Sequence, residues 1–296
     1  MTQNPYIFAT DDDLGHHLAG QIADLMHDAE REGRGFVLGC PGGRTPRSTY
    51  AHLAAEVRDR GLSLDRVIIA MMDDYVIPDG DSWQHVPADV HYSCRRFARV
   101  EIQEVLNAGA RAASARGALA SAGGAQVAAG GVLASAMSEV RASAISDDRV
   151  WFPNPAAPAE YDRRLADAGG IDFFLLASGA GDGHVAFNPP GSARDSQTRV
   201  VELAEQTRID NLATFPDYGS LDDVPTHGVT VGIGTIASLS KRAAMIAQGE
   251  GKRAAVARLS AATGYDPEWP ATVYREIAHA GLYVDSAAIS SSPPHP

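Results

Sequence analysis

The sequence is poor in cysteine, in positive charge and in long apolar runs, and each shortage removes a class of protein. Its two cysteines, Cys40 and Cys94, belong to no CxxC pair, which excludes a disulfide scaffold and a cysteine zinc site. No HExxH spacing occurs either, so no metal site is expected. Lys and Arg number 25 against 37 Asp and Glu, giving a net charge of −12 and a pI near 5.2. A partner with a phosphate backbone needs a basic face, so nucleic acid is not expected as a partner. No run of about eighteen apolar residues exists, and Met1-Thr2-Gln3-Asn4-Pro5 lacks a basic segment followed by an apolar core. Neither a membrane partner nor a signal peptide is expected, and the expected compartment is the cytoplasm. Neither a Gly-Lys-Ser/Thr phosphate loop nor a GxGxxG dinucleotide fingerprint is present.

What remains is a globular chain of 296 residues, 45% hydrophobic and 21% charged, long enough for one large core. Thr10 followed by Asp11-Asp12-Asp13 reads as a helix start, a cap and then acids against the positive end of the dipole. Leu14, Leu18, Ile22, Leu25 and Met26 follow at helical spacing up to Gly33 and Gly35. Short apolar runs at Phe36–Gly39, Val67–Met72, Ile171–Ala177, Val229–Ile233, Ala244–Ala247 and Gly281–Asp285 read as strands. Helical patterns at Tyr50–Val57 and Lys252–Leu259 alternate with them. This alternation predicts an α/β fold, a doubly wound, mostly parallel sheet with helices on both faces. Residues 107–146 break the rhythm with an Ala/Gly/Ser-rich insert, either two thin surface helices or a flap. The Ser/Pro-rich tail at 288–296 reads as frayed. The whole chain, 1–296, is taken as one domain carrying these two additions.

Three segments carry chemistry. Gly39-Cys40-Pro41-Gly42-Gly43-Arg44-Thr45-Pro46 leaves a strand and enters a helix. Free loop amides and a helix N-terminus suit a phosphate, although an ordinary βα turn would read the same way. Asp73 and Asp74 end a strand, and two adjacent acids cannot both face one pocket in charged form without penalty. One is expected to act and the other to be paired, unless both are solvated loop residues. In Ser178-Gly179-Ala180-Gly181-Asp182-Gly183-His184-Val185-Ala186-Phe187-Asn188, glycines turn the chain at a strand end and deliver Asp182 and His184 together. A carboxylate beside an imidazole is material for acid–base catalysis. Six histidines, His16, His17, His27, His52, His279 and His295, are expected at the surface. His85, His91 and His227 have no assigned role.

These motifs resemble the glucosamine-6-phosphate deaminase (isomerase) and 6-phosphogluconolactonase superfamily. The loop 38–46 resembles the family's phosphate loop, and Met72-Asp73-Asp74-Tyr75-Val76 its Met-Asp-Glu-Tyr-Val segment. Asp182-Gly183-His184-Val185-Ala186-Phe187-Asn188 is close to Asp-Gly-His-Ile-Ala-Phe-Asn of the deaminases, and Trp269-Pro270-Ala271-Thr272 resembles the Pro-Ala-Ser helix start. The resemblance implies a Rossmann-like sheet and a cofactor-independent enzyme acting on a phosphorylated sugar, an amino sugar 6-phosphate first. It implies phosphate held by Gly42, Gly43, Arg44 and Thr45, with Arg208 and Lys252 as cations. Asp73 would move the proton between C1 and C2, His184 would open the ring, and Asp182 would orient it. Pro189 stands where deaminases carry Glu, and proline supplies no titratable group and fixes the backbone. The alternatives are a lactonase acting on a sugar-phosphate lactone and a sugar-phosphate binding protein without catalysis. A homo-oligomer is left open.

Overall fold

The computed structural model describes residues 4–122, 144–215 and 217–289. Its centre is a sheet of seven strands: β1 (Tyr6–Phe8), β2 (Phe36–Cys40), β3 (Val67–Met71), β6 (Val150–Trp151), β7 (Phe173–Ala177), β10 (Arg242–Ala247) and β11 (His279–Asp285). They lie in the order β1-β11-β10-β7-β2-β3-β6, and all six pairings are parallel. The central strands are apolar without alternation because both faces are covered. Along β2, Leu38 packs to one side and Val37 to the other, each at most 2% exposed. Helices α1 (Asp11–Arg31), α2 (Arg47–Arg60) and α4 (Glu104–Ala122) cover the first face through Leu14, Leu18, Leu53 and Leu106. Helices α5 (Ala159–Asp167), α7 (Ile233–Leu239) and α8 (Arg253–Ala261) cover the second through Leu165, Ile236 and Leu259. The doubly wound α/β expectation describes this sheet. Thr10 caps α1, its Oγ1 accepting from the Asp13 amide at 3.0 Å.

From β2 the chain proceeds to β3 and β6 on one side, and from β7 to β10 and β11 on the other. The order therefore reverses between β2 and β7, and the carboxyl ends of these neighbouring strands open a crevice. The phosphate-loop candidate leaves β2 there, and the Asp182–His184 turn leaves β7.

A second sheet was not expected. Strands β4 (Asp73–Asp79), β5 (Ser82–His85), β8 (Arg199–Glu202) and β9 (His227–Thr230) form an antiparallel sheet in the order β5-β4-β9-β8. Met72 alone separates β3 from β4, its N–H donating to Cys40 and its carbonyl accepting from Val231. Asp73 and Asp74 thus begin a strand and are 6% and 0% exposed, which removes the solvated-loop reading. The strand expected over Val229–Ile233 stops at Thr230, and Ile233 instead begins α7 with its N–H bonded to Ser196 Oγ. The insert's first part is α4, which packs on α2 so closely that a Cβ at Gly109 would overlap the Ala54 carbonyl. Its remainder, 123–143, and the tail, 290–296, lie outside the described residues, as does His295.

At the opposite end of the sheet, buried Asp172 joins three segments. It accepts from the Val37 amide at 2.8 Å, Arg34 Nη1 at 2.9 Å and Lys241 Nζ at 2.8 Å. Asp172→Ala would strand the Val37 N–H and lower unfolding free energy by about 2–3 kcal/mol. Urea unfolding should read this loss, with ligand affinity at the distant crevice unchanged.

Candidate active site

The crevice holds a cavity of about 140 Å³. Its walls are the loop Pro41–Thr45, Asp73 and Tyr75 of β4, Cys94 and Phe97 of the short helix α3 (Cys94–Phe97), and the turn after β7. Helix α6 (Glu205–Thr214) and Lys252 close it. Gly42, Gly43, Arg44, Thr45, Asp73, His184 and Lys252 therefore face one space. The loop is held from below by Tyr50, whose hydroxyl donates to the Pro41 carbonyl at 3.1 Å. Gly43 adopts φ 88°, a conformation open to glycine, and leads toward the N-terminus of the 14-residue helix α2. Lys252 Nζ donates to the Ser178 carbonyl at 2.6 Å. Burial and, more weakly, Arg44 lower its pKa, while Asp210 and Asp182 work the other way.

Asp73 and Asp74 differ because strand neighbours point to opposite sides. Asp74 Oδ1 accepts the Tyr75 and Cys94 amides at 2.9 and 3.0 Å. Its Oδ2 lies 3.0 Å from His85 Nδ1 and 3.3 Å from Arg95 Nε. Asp73 faces the cavity, and among the described residues no cation pairs with it; the Cys94 thiol donates to its Oδ1 at 3.5 Å. Burial pushes the Asp73 carboxyl up to about 7, the thiol opposing this and the charge of Asp74 adding to it.

His184 and Asp182 are one unit. Asp182 Oδ1 lies 2.8 Å from His184 Nδ1 and accepts the His184 amide at 3.2 Å. Thr207 Oγ1 of α6 lies 3.1 Å from the same Nδ1. These partners occupy Nδ1 and leave Nε2 as the ring nitrogen available to the cavity. Burial works to raise the Asp182 pKa, but its hydrogen bond and charge attraction to His184 prevail and lower it. Asp182, His184 and Asp210 offer ligand atoms within 4.8 Å of one another, close enough to hold a metal ion.

The turn bearing this pair is over-determined. Gly183 has φ 65°, and Trp269 packs on it so closely that a Cβ would overlap the indole. The Ala271 amide donates to the Gly183 carbonyl at 2.8 Å. Ala186, at φ 52°, is the one described non-glycine residue with positive φ. Buried Asn188 fastens the far end, donating to the Val185 and Val231 carbonyls and accepting from Arg199 at 2.9 Å. Strain held by such surroundings is a mark of functional turns.

With this geometry the chain is 32% identical over 280 residues to the glucosamine-6-phosphate deaminase of Rhodococcus jostii (strain RHA1), across 92% of this chain and 88% of that protein. It belongs to the glucosamine-6-phosphate isomerase/6-phosphogluconolactonase family. That family's model matches residues 9–87. The glucosamine-6-phosphate deaminase of Streptomyces avermitilis is 35% identical over 257 residues, 86% of this chain and 80% of the other. Among solved structures, a monomeric glucosamine-6-phosphate deaminase superposes with TM-score 0.73 at 24% identity, covering 97% of this chain and 98% of its own. A 6-phosphogluconolactonase from Shewanella baltica OS155 gives 0.61 at 15% identity over 97% and 100%. Both likenesses show a shared fold.

Within this family member, Arg208 stands apart from the other residues that the resemblance assigns to phosphate. It is not among the cavity's lining residues, and its Nη2 donates to the Leu221 and Val224 carbonyls at 2.6 and 3.1 Å. Asn211, Thr214 and Phe215 of the same segment do line the cavity. Asn211 follows Arg208 by three residues, and Thr214 and Phe215 follow Asn211 by three and four, a spacing that marks one helical face and could have been read from sequence. Cys94 and Phe97 carried no such signal. At Pro189 the loop supplies carbonyl contacts, accepting from the Ser192 amide and hydroxyl at 3.2 and 2.7 Å. The carboxylates beside His184 are Asp182 and, from α6, Asp210.

Gly183→Ala would meet both a left-handed φ and the Trp269 ring. Unfolding free energy should fall by about 1–3 kcal/mol. Thermal melting checks this, and Gly191→Ala, which also has positive φ but open space around it, should lose less.

Proposed function

We propose that this chain is a cofactor-independent isomerase/deaminase that turns glucosamine 6-phosphate and water into fructose 6-phosphate and ammonia. The observation that carries this reading is Asp73: a buried carboxyl, pushed up to about 7 by burial, shares a cavity with a phosphate-type loop and with His184, which Asp182 holds through Nδ1. The phosphate rests on the amides of Gly42, Gly43, Arg44 and Thr45 and on Lys252, loop donors and a cation converging on a dianion. Arg208 joins the clamp only by leaving the Leu221 and Val224 carbonyls. His184, oriented through Nδ1 by Asp182, moves a proton between the ring oxygen and O1, opening the pyranose to its aldehyde. Asp73 takes the C2 proton and returns it to C1, while a proton passes from the amino nitrogen to O1, leaving C1 as an alcohol and an imine at C2. Water adds there and ammonia leaves, so that atoms balance. A base tuned near the working pH suits the transfer.

Asp73 acts as a base only when ionised, so ammonia release should rise with pH through a midpoint near 7. Asp73→Asn should remove the activity while phosphosugar binding persists. Ammonia absent at every pH, with brisk hydrolysis of a 6-phosphosugar lactone, would replace this reading with the lactonase. Tight binding without either turnover would leave a binding protein.

The phosphate assignment has its own test. Lys252→Ala should weaken a sugar phosphate by about 1.5–3 kcal/mol, roughly 10- to 150-fold, and leave the unphosphorylated sugar unaffected. Arg208→Ala should weaken it less, because that guanidinium must first leave its carbonyls. Calorimetric titration with both ligands reads each effect, and equal losses for the two ligands would remove Lys252 from the clamp.

A further inference from the structure

Cys94 has no part in the chemistry above, yet it occupies a position that the reaction depends on. It begins α3, is 5% exposed and lines the cavity between the base and the phosphate loop. Its Sγ lies 3.5 Å from Asp73 Oδ1 on one side. On the other it lies 3.6 Å from where a Cβ on Gly42 would fall. Its backbone is fixed independently, because its amide donates to Asp74 Oδ1 at 3.0 Å and Ser93 caps the helix start. Among the described residues no other group donates a hydrogen bond to the Asp73 side chain.

The surroundings of Asp73 supply no substitute. On β4, Asp74 adds a like charge, and Arg95 and His85 lie beside it on its own side. Tyr75 is buried, and the Tyr161 hydroxyl of α5 donates to the Met71 carbonyl at 2.8 Å. His184 is engaged with Asp182 and Thr207, and Lys252 with Ser178. A thiolate beside Asp73 would repel it. Burial, followed by the charges of Asp73 and Asp74, holds the Cys94 thiol well above its ordinary pKa and keeps it an S–H donor.

We propose that Cys94 is a positioning residue for the proton-transfer base: its thiol donates to the ionised Asp73 carboxylate, favours that form and aims it past the phosphate loop. The role in turnover rests on the function proposed above, but the hydrogen bond can be tested without turnover. The Asp73 carboxyl carbon is titrated by NMR in the full chain labelled at aspartate, its resonance being the one lost in Asp73→Asn. Cys94→Ala should raise the Asp73 midpoint by roughly half to one pH unit, since the ionised form loses its donor. Cys94→Ser, which keeps a donor, should leave it at or below the wild-type value. Should Cys94→Ala fail to fold, Cys94→Val fills the space without donating and takes its place. An unmoved midpoint in the donor-free variant would overturn the proposal. Equal rises for serine and the donor-free variant would also overturn it, assigning the effect to packing. In the ammonia assay the rising limb should move with the NMR midpoint. Wild-type protein releasing no ammonia would sink the deaminase reading and leave the titration to decide the role of Cys94.

Discussion

A buried carboxylate that no cation among the described residues pairs organises this site. Two adjacent acids begin β4, and strand alternation sends them apart. Asp74 goes to the side where two amides donate to it and Arg95 stands 3.3 Å away, with His85 Nδ1 at 3.0 Å. Asp73 goes to the cavity and, among the described residues, receives one weak donor. Desolvation therefore dominates at Asp73, and a carboxyl that would be fully ionised in water is balanced near neutrality. The single-residue joint at Met72 makes this possible, because it carries the chain from the parallel sheet into the antiparallel one without leaving the protein interior. The site is built around that joint. Register pairs Asp73 with Thr230, and Thr230 Oγ1 accepts the Phe187 amide at 3.1 Å, so the sheet that positions Asp73 also holds the turn that carries His184.

The parallel sheet was legible because its strands are buried on both faces and read as continuous apolar runs. The antiparallel sheet was not. Asp73–Asp79 follows β3 after one residue and has acids at both ends around its apolar centre, while Ser82–His85 and Arg199–Glu202 are four residues each, too short to show a period. The end of β9 is hidden from the sequence for a different reason. Val231-Gly232-Ile233 continues the apolar pattern, but a Cβ at Gly232 would overlap the Ser196 backbone, and Ser196 Oγ takes the Ile233 amide. A contact 37 residues away in sequence ends the strand, and no local pattern records it. At the site, the glycine-rich loop and the Asp182–His184 turn were legible because tight turns restrict residue type. Cys94 and Phe97 were not, because they reach the cavity through the packing of a helix on a strand from which they are distant in sequence.

The His184 turn shows how strain and support are distributed. Gly183 and Ala186 take left-handed backbone conformations within four residues. Trp269 packs on the first, and Asn188 and Arg199 fasten the segment that follows. Pro189 extends this rigid support and brings no carboxylate of its own. The acids beside His184 come instead from within the turn, at Asp182, and from α6, at Asp210.

The claim that Asp73 is held near neutrality by burial predicts a dependence of stability on pH that needs no substrate. With a native pKa near 7 against about 3.9 when unfolded, the native state binds the extra proton between those values. The contribution of this group to stability is therefore intact below pH 4 and is lost as pH rises toward 7. Unfolding free energies of wild type and Asp73→Asn, measured by denaturant from pH 4 to pH 8, isolate it. The Asn variant should gain on wild type progressively up to about pH 7 and then hold a constant advantage. A difference that does not change with pH, or wild type gaining as pH rises, would contradict the account.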